Sequence, residues 1–159
     1  MNVLTETFIK YSESVSNKNL LLSFEEFSEA LGKHNFDYVS LKTDALPEKI
    51  ITAGNEGIGD ALVEADFAIA ETGSVVIEST DERLRKATCL AERLHVAVPA
   101  SRIVPMLEDV ADFLEEKSSD PASFTAFITG ASRTADIERV LTIGVHGPCE
   151  MTVYIITDR

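Results

Sequence analysis

Hydrophobic positions near the amino terminus recur at helical spacing. Apolar or aromatic residues three or four positions apart predict an amphipathic helix there: Leu4, Phe8, Tyr11 and Val15. A second helix is predicted after Ser23, because Glu26 three residues later completes a capping box and Gly32 suits the helix end. Tyr38–Leu41 has the short apolar pattern of a strand, whereas three glycines within 54–59 indicate a loop.

The middle of the chain is predicted to contain strands. Phe67–Ala70 and Val75–Ile77 are apolar segments on either side of Thr72-Gly73, so they predict a hairpin or one sharply bent strand. Glu82–Leu94 is polar and is expected to be a helix or a loop. Leu94–Val98 is expected to be a strand that ends at the proline that follows it.

The last third of the chain again mixes helix and strand. A helix opened by Pro105 is predicted, with four apolar residues on one face: Ile103, Leu107, Val110 and Leu114. Phe124–Ile128 and Met151–Ile156 are expected to be strands, with a short helix over Thr134–Leu141 between them. Because strands alternate with helices from about residue 65, the pattern predicts an α/β layered sheet, built as one domain over residues 1–159.

The charge of the chain limits the partners it can have. Asp and Glu number 27 against 14 Lys and Arg, which gives a net charge of −13 at pH 7. This excess of acid argues against nucleic acid and against anionic membrane surfaces as partners. No apolar run approaches the ~18 residues of a membrane span, and the amino terminus lacks the basic start of a signal peptide, so a cytoplasmic protein is expected. Every arginine lies at or after Arg83, so an anionic ligand is expected to bind in that part of the chain.

The spacing of cysteine and histidine predicts no metal site and no cofactor bound by this chain alone. Cys89 and Cys149 lie far apart and cannot by themselves supply the four thiolates of an iron–sulfur or zinc site. His34, His95 and His146 show no paired-ligand spacing, and the first two are expected at the surface or in the core.

One segment is a candidate anion site. It is predicted as a strand, a glycine turn and a helix start, whose free backbone N–H groups would face the turn. Its candidate ligand-binding residues are Gly130, Ser132, Arg133, Thr134 and Asp136. The alternative is an ordinary helix start capped by Ser132 or Thr134.

Two more segments are candidates for ligand contact. In the first, Glu71 stands at a strand end beside Gly73, where it could act as a base, as a nucleophile or as a ligand to a polar group, with Thr72 and Ser74 next to it. The alternative is an exposed turn glutamate.

In the second, His146 lies between glycines in the segment Gly144–Pro148, and Gly147 permits close approach of a ligand. The alternative is a structural loop histidine that bonds to the backbone.

Together the three segments resemble the LUD domain of the lactate-utilisation protein C family. The segments that carry the resemblance are Ala70–Ser74, Thr129–Glu138 and Gly144–Pro148, in that order along the chain. The resemblance is clearest over residues 65–155. It implies a three-layer α/β/α fold of the NagB/RpiA/CoA-transferase-like type.

The resemblance also implies a function. A chain of this family is expected to be the small-ligand-binding subunit of a cytoplasmic system that oxidises L-lactate to pyruvate with iron–sulfur partner proteins. The clusters are then expected only in those partners. Ser132, Arg133 and Thr134 would hold the anionic group, and Glu71 and His146 would line the same pocket.

Two other functions are compatible with the same residues. One is a free-standing acyl- or CoA-transferase-like enzyme in which the carboxylate of Glu71, the candidate catalytic residue, accepts the acyl group. The other is a non-catalytic assembly protein whose acidic surface docks to a basic partner. A homo-oligomer is compatible with all of these functions.

Overall fold

The computed structural model describes residues 2–42, 57–134, 142–143 and 147–159, and for residues 133, 134, 142 and 143 it describes the backbone only. Four α-helices lie in this part of the chain: α1 (Val3–Ser14), α2 (Phe24–Lys33), α3 (Glu82–Leu90) and α4 (Ala111–Ser118). Two 3-10 helices are present, Ala100–Arg102 and Leu107–Val110. The strands of the same part are β1 (Lys18–Leu22), β2 (Tyr38–Ser40), β3 (Ile58–Glu64), β4 (Phe67–Ile69), β5 (Ser74–Ser79), β6 (Ala91–Pro99), β7 (Ile103–Val104), β8 (Phe124–Ile128), β9 (Arg133–Thr134), β10 (Thr142–Ile143) and β11 (Glu150–Ile156).

Five of these strands form a parallel sheet in the order β1-β11-β6-β3-β2. In its register Lys18 is the partner of Thr152, Thr152 of His95, and His95 of Leu62. Residues paired in this way point to the same face of the sheet, while their chain neighbours point to the other face. The register therefore decides which polar side chains share a surface.

A second sheet and a short strand pair complete the fold. The second sheet has the order β7-β4-β5-β8, in which β4 pairs antiparallel with β5 and β5 with β8, while β7 runs parallel to β4. Strands β9 and β10 pair antiparallel with each other.

The parallel sheet is covered on both faces. On one face, Leu94 and Val96 of β6 belong to a core cluster that also contains Phe8 of α1 and residues of α3 and β5. On the other face, Ala97 belongs to a smaller cluster with Phe27 of α2. Helices thus lie on both sides of the sheet, and the predicted α/β fold is confirmed.

Several predicted elements are confirmed. The amino-terminal helix is present as α1, and the capping box of α2 is complete: the Ser23 hydroxyl accepts from the Glu26 N–H at 3.2 Å, and a Glu26 carboxylate oxygen accepts from the Ser23 N–H at 2.7 Å. The Thr72-Gly73 break is the turn of a hairpin between β4 and β5. The strands β2, β6, β8 and β11 lie where apolar runs predict them, and the polar stretch before β6 contains α3.

The helix predicted from Pro105 begins two residues later, at Leu107, and Ile103 does not lie on its face. Ile103–Val104 is a strand that pairs with Ala68–Ile69, and the helical turns begin only with the 3-10 helix Leu107–Val110. The Pro105 carbonyl accepts a hydrogen bond from the Glu71 N–H at 3.1 Å. Pairing with β4 outweighs the local helical periodicity because it satisfies backbone groups that would otherwise be buried without partners.

Three other local predictions differ from the structure. The helix predicted over Thr134–Leu141 is wrong at its first residue, because Arg133–Thr134 is extended and pairs with Thr142–Ile143; residues 135–141 lie outside the described part. Gly59 belongs to the buried strand β3 and not to a loop. The strand β1 was not predicted, because its KNLLL sequence shows no alternation.

Replacing Ser23 with Ala is expected to lower the free energy of unfolding by about 1 kcal/mol, because the Glu26 N–H loses its acceptor. Denaturant unfolding followed by circular dichroism measures this loss. Ser28→Ala is the matched control on the same helix, since the Ser28 hydroxyl only bonds the Phe24 carbonyl one turn back, and a change within ~0.5 kcal/mol is expected there. Equal losses in the two variants would contradict the role of the cap.

Candidate functional site

The turn of the Ala70–Ser74 segment packs against the carboxyl-terminal end of α1. Gly73 has φ +67°, and a Cβ atom placed on it would lie 2.3 Å from the Ser12 backbone nitrogen. That distance leaves no room for any side chain. The glycine is therefore required by the approach of α1, which fills the space on its Cβ side, and the predicted ligand contact of Gly73 stays a prediction.

Hydrogen bonds hold the second motif segment against the same end of α1. The Ser74 and Thr129 hydroxyl oxygens are 2.9 Å apart, and the Asn17 side-chain amide donates to the Thr129 carbonyl at 3.0 Å. A Cβ on Gly130 would lie 3.0 Å from the Val15 carbonyl oxygen. The segments around Gly73 and Gly130, far apart in sequence, thus meet at one place.

The described part of the third motif segment, Gly147–Pro148, contacts the second motif segment at Ser132. The Ser132 N–H donates to the Pro148 carbonyl at 2.8 Å, and a Cβ on Gly147 would lie 3.2 Å from the Ser132 Cβ. For Arg133 and Thr134 the backbone alone is described, and Asp136 and His146 lie outside the described residues, so their predicted ligand contacts stay predictions.

The Glu71 carboxylate has a structural partner. One of its oxygens accepts a hydrogen bond from the Leu107 N–H at 2.9 Å and so caps the 3-10 helix that follows Pro105. Thr72 makes a local contact, with its hydroxyl accepting from the Ser74 N–H at 3.3 Å. Glu71 is exposed, and its proposed role as an acyl acceptor stays a prediction.

A groove opens beside the Gly130–Ser132 turn. Its volume is about 320 Å³, and its lining residues are Ser16, Lys18, Ala131, Cys149, Glu150, Met151 and Thr152. It lies where β1 and β11 begin, at the amino-terminal ends of the strands of the parallel sheet. Ser16 has φ +67°, a left-handed conformation that few residues other than glycine adopt, and it forms the turn that leads into β1.

Lys18 gives this groove a cationic group. Its side chain is exposed and makes no ion pair with the residues that the structure describes. An ammonium group suits a small carboxylate or phosphate. The predicted helix N-terminus is replaced here by the extended β9, so among the described lining residues it is Lys18 that offers an anion a positive charge.

A second polar cluster lies around Asp60, on the face of the parallel sheet that α2 covers. One Asp60 oxygen is 3.0 Å from Nε2 of His95, 3.4 Å from Nε2 of His34 and 2.8 Å from Nε of Arg93. Nδ1 of His95 is 3.1 Å from the Tyr154 hydroxyl. Side chains from the end of α2 and from β6 thus meet at the carboxylate of Asp60 on β3, and Tyr154 of β11 contacts the far side of the His95 ring.

The electrostatics of this cluster favour an ionised Asp60 and a neutral His95. The hydrogen bond from Arg93 holds the pKa of the Asp60 carboxyl well below its usual range. Burial lowers the pKa of the His95 imidazole, although the hydrogen bond to Asp60 opposes this change. Burial also raises the pKa of the Tyr154 phenol.

The model of the LUD domain matches residues 59–156 of the chain, which is more than half of it and contains all three motif segments. The chain belongs to the LUD domain family. The predicted family resemblance is thereby confirmed.

Two relatives of this LUD domain carry the same name. A protein of Geobacillus kaustophilus named "Lactate utilization protein C" is 33% identical over 136 residues, 84% of this chain and 50% of its own length. A protein of Anoxybacillus flavithermus with the same name is 39% identical over 95 residues, 60% of this chain and 42% of its own length. The chain therefore spans about half the length of the curated relatives it matches.

A solved structure supports the fold of this LUD domain. It is the crystal structure of a DUF162 family protein from Deinococcus radiodurans, with a TM-score of 0.63 over 96% of each chain. At 17% identity this similarity shows the fold alone.

The sequence predicts neither the Lys18 contribution to the groove nor the Asp60 cluster of this LUD domain. A usable signal exists for the cluster, because Asp60 and His95 each interrupt a strand whose other central residues are apolar. A polar residue at such a position requires a partner. The partner's identity depends on the strand order, which local patterns do not reveal.

Replacing Gly73 with Ala is expected to lower the free energy of unfolding by about 2–5 kcal/mol, because the methyl group collides with α1 and the left-handed backbone is strained. Gly32→Ala is the matched control: no atom lies within 4 Å of the added Cβ, and the helical site should gain about 0.5–1 kcal/mol. Thermal and denaturant unfolding measure both changes. A Gly73→Ala protein as stable as the wild type would overturn the close contact.

Proposed function

We propose that this LUD domain binds a small anionic ligand as a subunit of a lactate utilisation system. The observation that carries this proposal is the similarity to proteins named "Lactate utilization protein C", one of which matches 84% of the chain at 33% identity. The proposal includes a cytoplasmic location and a 2-hydroxy acid or its oxidised product as the ligand.

The groove beside the motif segments supports an anion as the ligand. Its volume of about 320 Å³ lies in the range of small-molecule sites. Lys18 is a cation on its wall, and Ser132 and Arg133 follow the lining residue Ala131 directly in the chain. A carboxylate of a 2-hydroxy acid is small enough to lie between Lys18 and this turn.

The cysteine content supports the proposal that partner proteins hold the iron–sulfur clusters. Cys89 and Cys149 are both exposed and free, and an iron–sulfur cluster needs about four thiolates. We therefore expect electron transfer to occur in iron–sulfur partners of the system and this chain to contribute ligand binding.

L-lactate or pyruvate is expected to raise the melting temperature of the wild-type protein. At a ligand concentration about one hundredfold above Kd, binding stabilises by ~2.7 kcal/mol, which corresponds to about 5–10 °C in a chain of this size. Lys18→Ala and Arg133→Ala are expected to remove most of this shift, because each deletes a cation of the proposed site. Lys33→Ala is the control, since Lys33 is exposed and pairs with Glu29 on α2.

The result that would contradict the proposed site is an equal shift in the wild type and in both site variants. The absence of a shift with either acid would contradict the proposed ligand class.

Deletion of the gene in its host is expected to stop growth on L-lactate and to leave growth on glucose unchanged. Wild-type protein and Lys33→Ala should restore growth on L-lactate, whereas Arg133→Ala should not. Normal growth of the deletion strain on L-lactate would contradict the proposed role, whatever the outcome of the binding measurements.

A further inference from the structure

We propose that His34, Asp60 and His95 form a binding site for a divalent transition-metal ion, with Zn²⁺ as the ion that the donor set fits best. The three side chains come from the end of α2, from β3 and from β6. None of these three residues lines the Lys18 groove, and this inference does not rest on the proposed function.

The donor atoms already have the spacing of a metal centre. One ligand atom from each residue can be chosen so that all three lie within 4.8 Å of one another. Nε2 of His34 is 3.4 Å from the Asp60 oxygen, and Nε2 of His95 is 3.0 Å from the same oxygen. Bonds of about 2.1 Å in a tetrahedral Zn²⁺ site place neighbouring ligand atoms about 3.4 Å apart. The two distances to the Asp60 oxygen are thus close to those of a metal site, and the two histidine ligand atoms, at most 4.8 Å apart, need to approach by no more than about 1.4 Å.

Groups behind the donors can hold them in place. The Tyr154 hydroxyl is 3.1 Å from Nδ1 of His95. When Nε2 binds a metal, the imidazole proton is on Nδ1, and this N–H can donate a hydrogen bond to the Tyr154 hydroxyl oxygen. The other oxygen of Asp60 accepts a hydrogen bond from Arg93, which orients the carboxylate and keeps it ionised. Metal-binding histidines and carboxylates usually have such outer partners.

The cluster has a buried side and an open side. The side chains of Asp60 and His95 are each 11% exposed, whereas that of His34 is 42% exposed. An ion can therefore enter beside His34, and a fourth position on this exposed side would be open to water. Three protein ligands with one open position are the arrangement of a site that binds water or a substrate in the fourth position.

The donor set selects among ions. Two imidazole nitrogens and one carboxylate oxygen suit Zn²⁺, Co²⁺ or Ni²⁺, whereas Mg²⁺ and Ca²⁺ prefer oxygen ligands alone.

The Arg93 guanidinium hydrogen-bonds to the same carboxylate that would hold the metal. Its positive charge opposes a second cation, so the ion must displace the Arg93 Nε contact on binding.

Zn²⁺ binding to the untagged protein tests the site. Calorimetric titration is carried out in a Cys89→Ser/Cys149→Ser background, because two exposed thiols could bind zinc by themselves. One Zn²⁺ per chain is expected. His34→Gln should weaken the affinity at least about tenfold, since changing even an outer partner of a metal typically costs about 10–100-fold. His34 is partly exposed at the helix end, so this variant is expected to keep the fold, which circular dichroism checks.

Two controls make the result specific. Glu29→Gln removes an exposed carboxylate of α2 that pairs with Lys33 and should leave the affinity unchanged, and Mg²⁺ should not bind at the same concentration. Co²⁺ should give the visible absorption of a tetrahedral site in the wild type and lose it in His34→Gln and in His95→Gln. The proposal is overturned if the cysteine-free protein binds no Zn²⁺, or if His34→Gln binds it as tightly as the protein with all three histidines.

Discussion

The turn at Thr72–Ser74 packs against the carboxyl-terminal end of α1 so closely that no side chain fits between them. The arrangement of the motif segments depends on this contact. Because residue 73 has no side chain, the β4–β5 hairpin can rest directly on the backbone of Ser12. The hydroxyl pair of Ser74 and Thr129 and the Asn17 amide then fix the end of β8 beside the same helix end. This contact links the second sheet to the start of β1, and the groove with Lys18 lies next to that junction.

The two faces of the parallel sheet have different roles. The face toward α1 is apolar along the central strands and forms the larger core cluster. The face toward α2 is apolar near Phe27 and Leu62, and it becomes polar toward the ends where the strands begin, at Asp60, Arg93 and His95.

A second cavity, of about 370 Å³, lies at the opposite end of the strands. There the α1 cap Asn2 and the α1 residue Thr5 approach Ala100 and Thr157. Among the described residues, no helix is long and apolar enough to cross a membrane.

The predicted elements that the structure confirms are those indicated by local sequence patterns. The elements that were predicted wrongly depend on contacts between residues far apart in the chain. The Ser23–Glu26 capping box and the Thr72-Gly73 turn are complete within a few residues, so the sequence predicts them correctly. Ile103 has helical spacing to later apolar residues, yet it pairs with Ala68 in a sheet. The motif segments meet through the contacts of Ser74 with Thr129 and of Ser132 with Pro148, whereas the predicted pocket shared by Glu71, Arg133 and His146 stays a prediction. The presence of Lys18 beside these segments depends on the position of β1. The cluster of His34, Asp60 and His95 needed the strand order itself, since Asp60 and His95 are 35 residues apart.

We propose the junction of α1 with the motif segments as the ligand site. Backbone ¹⁵N chemical shifts of the wild-type protein, recorded during titration with L-lactate, locate the ligand without a mutation. We expect the largest changes at the groove beside this junction, at Ser16, Ala131 and Cys149. Changes concentrated instead at the opposite end of the strands, at Ala100 and Thr157, or no saturable changes anywhere, would contradict it.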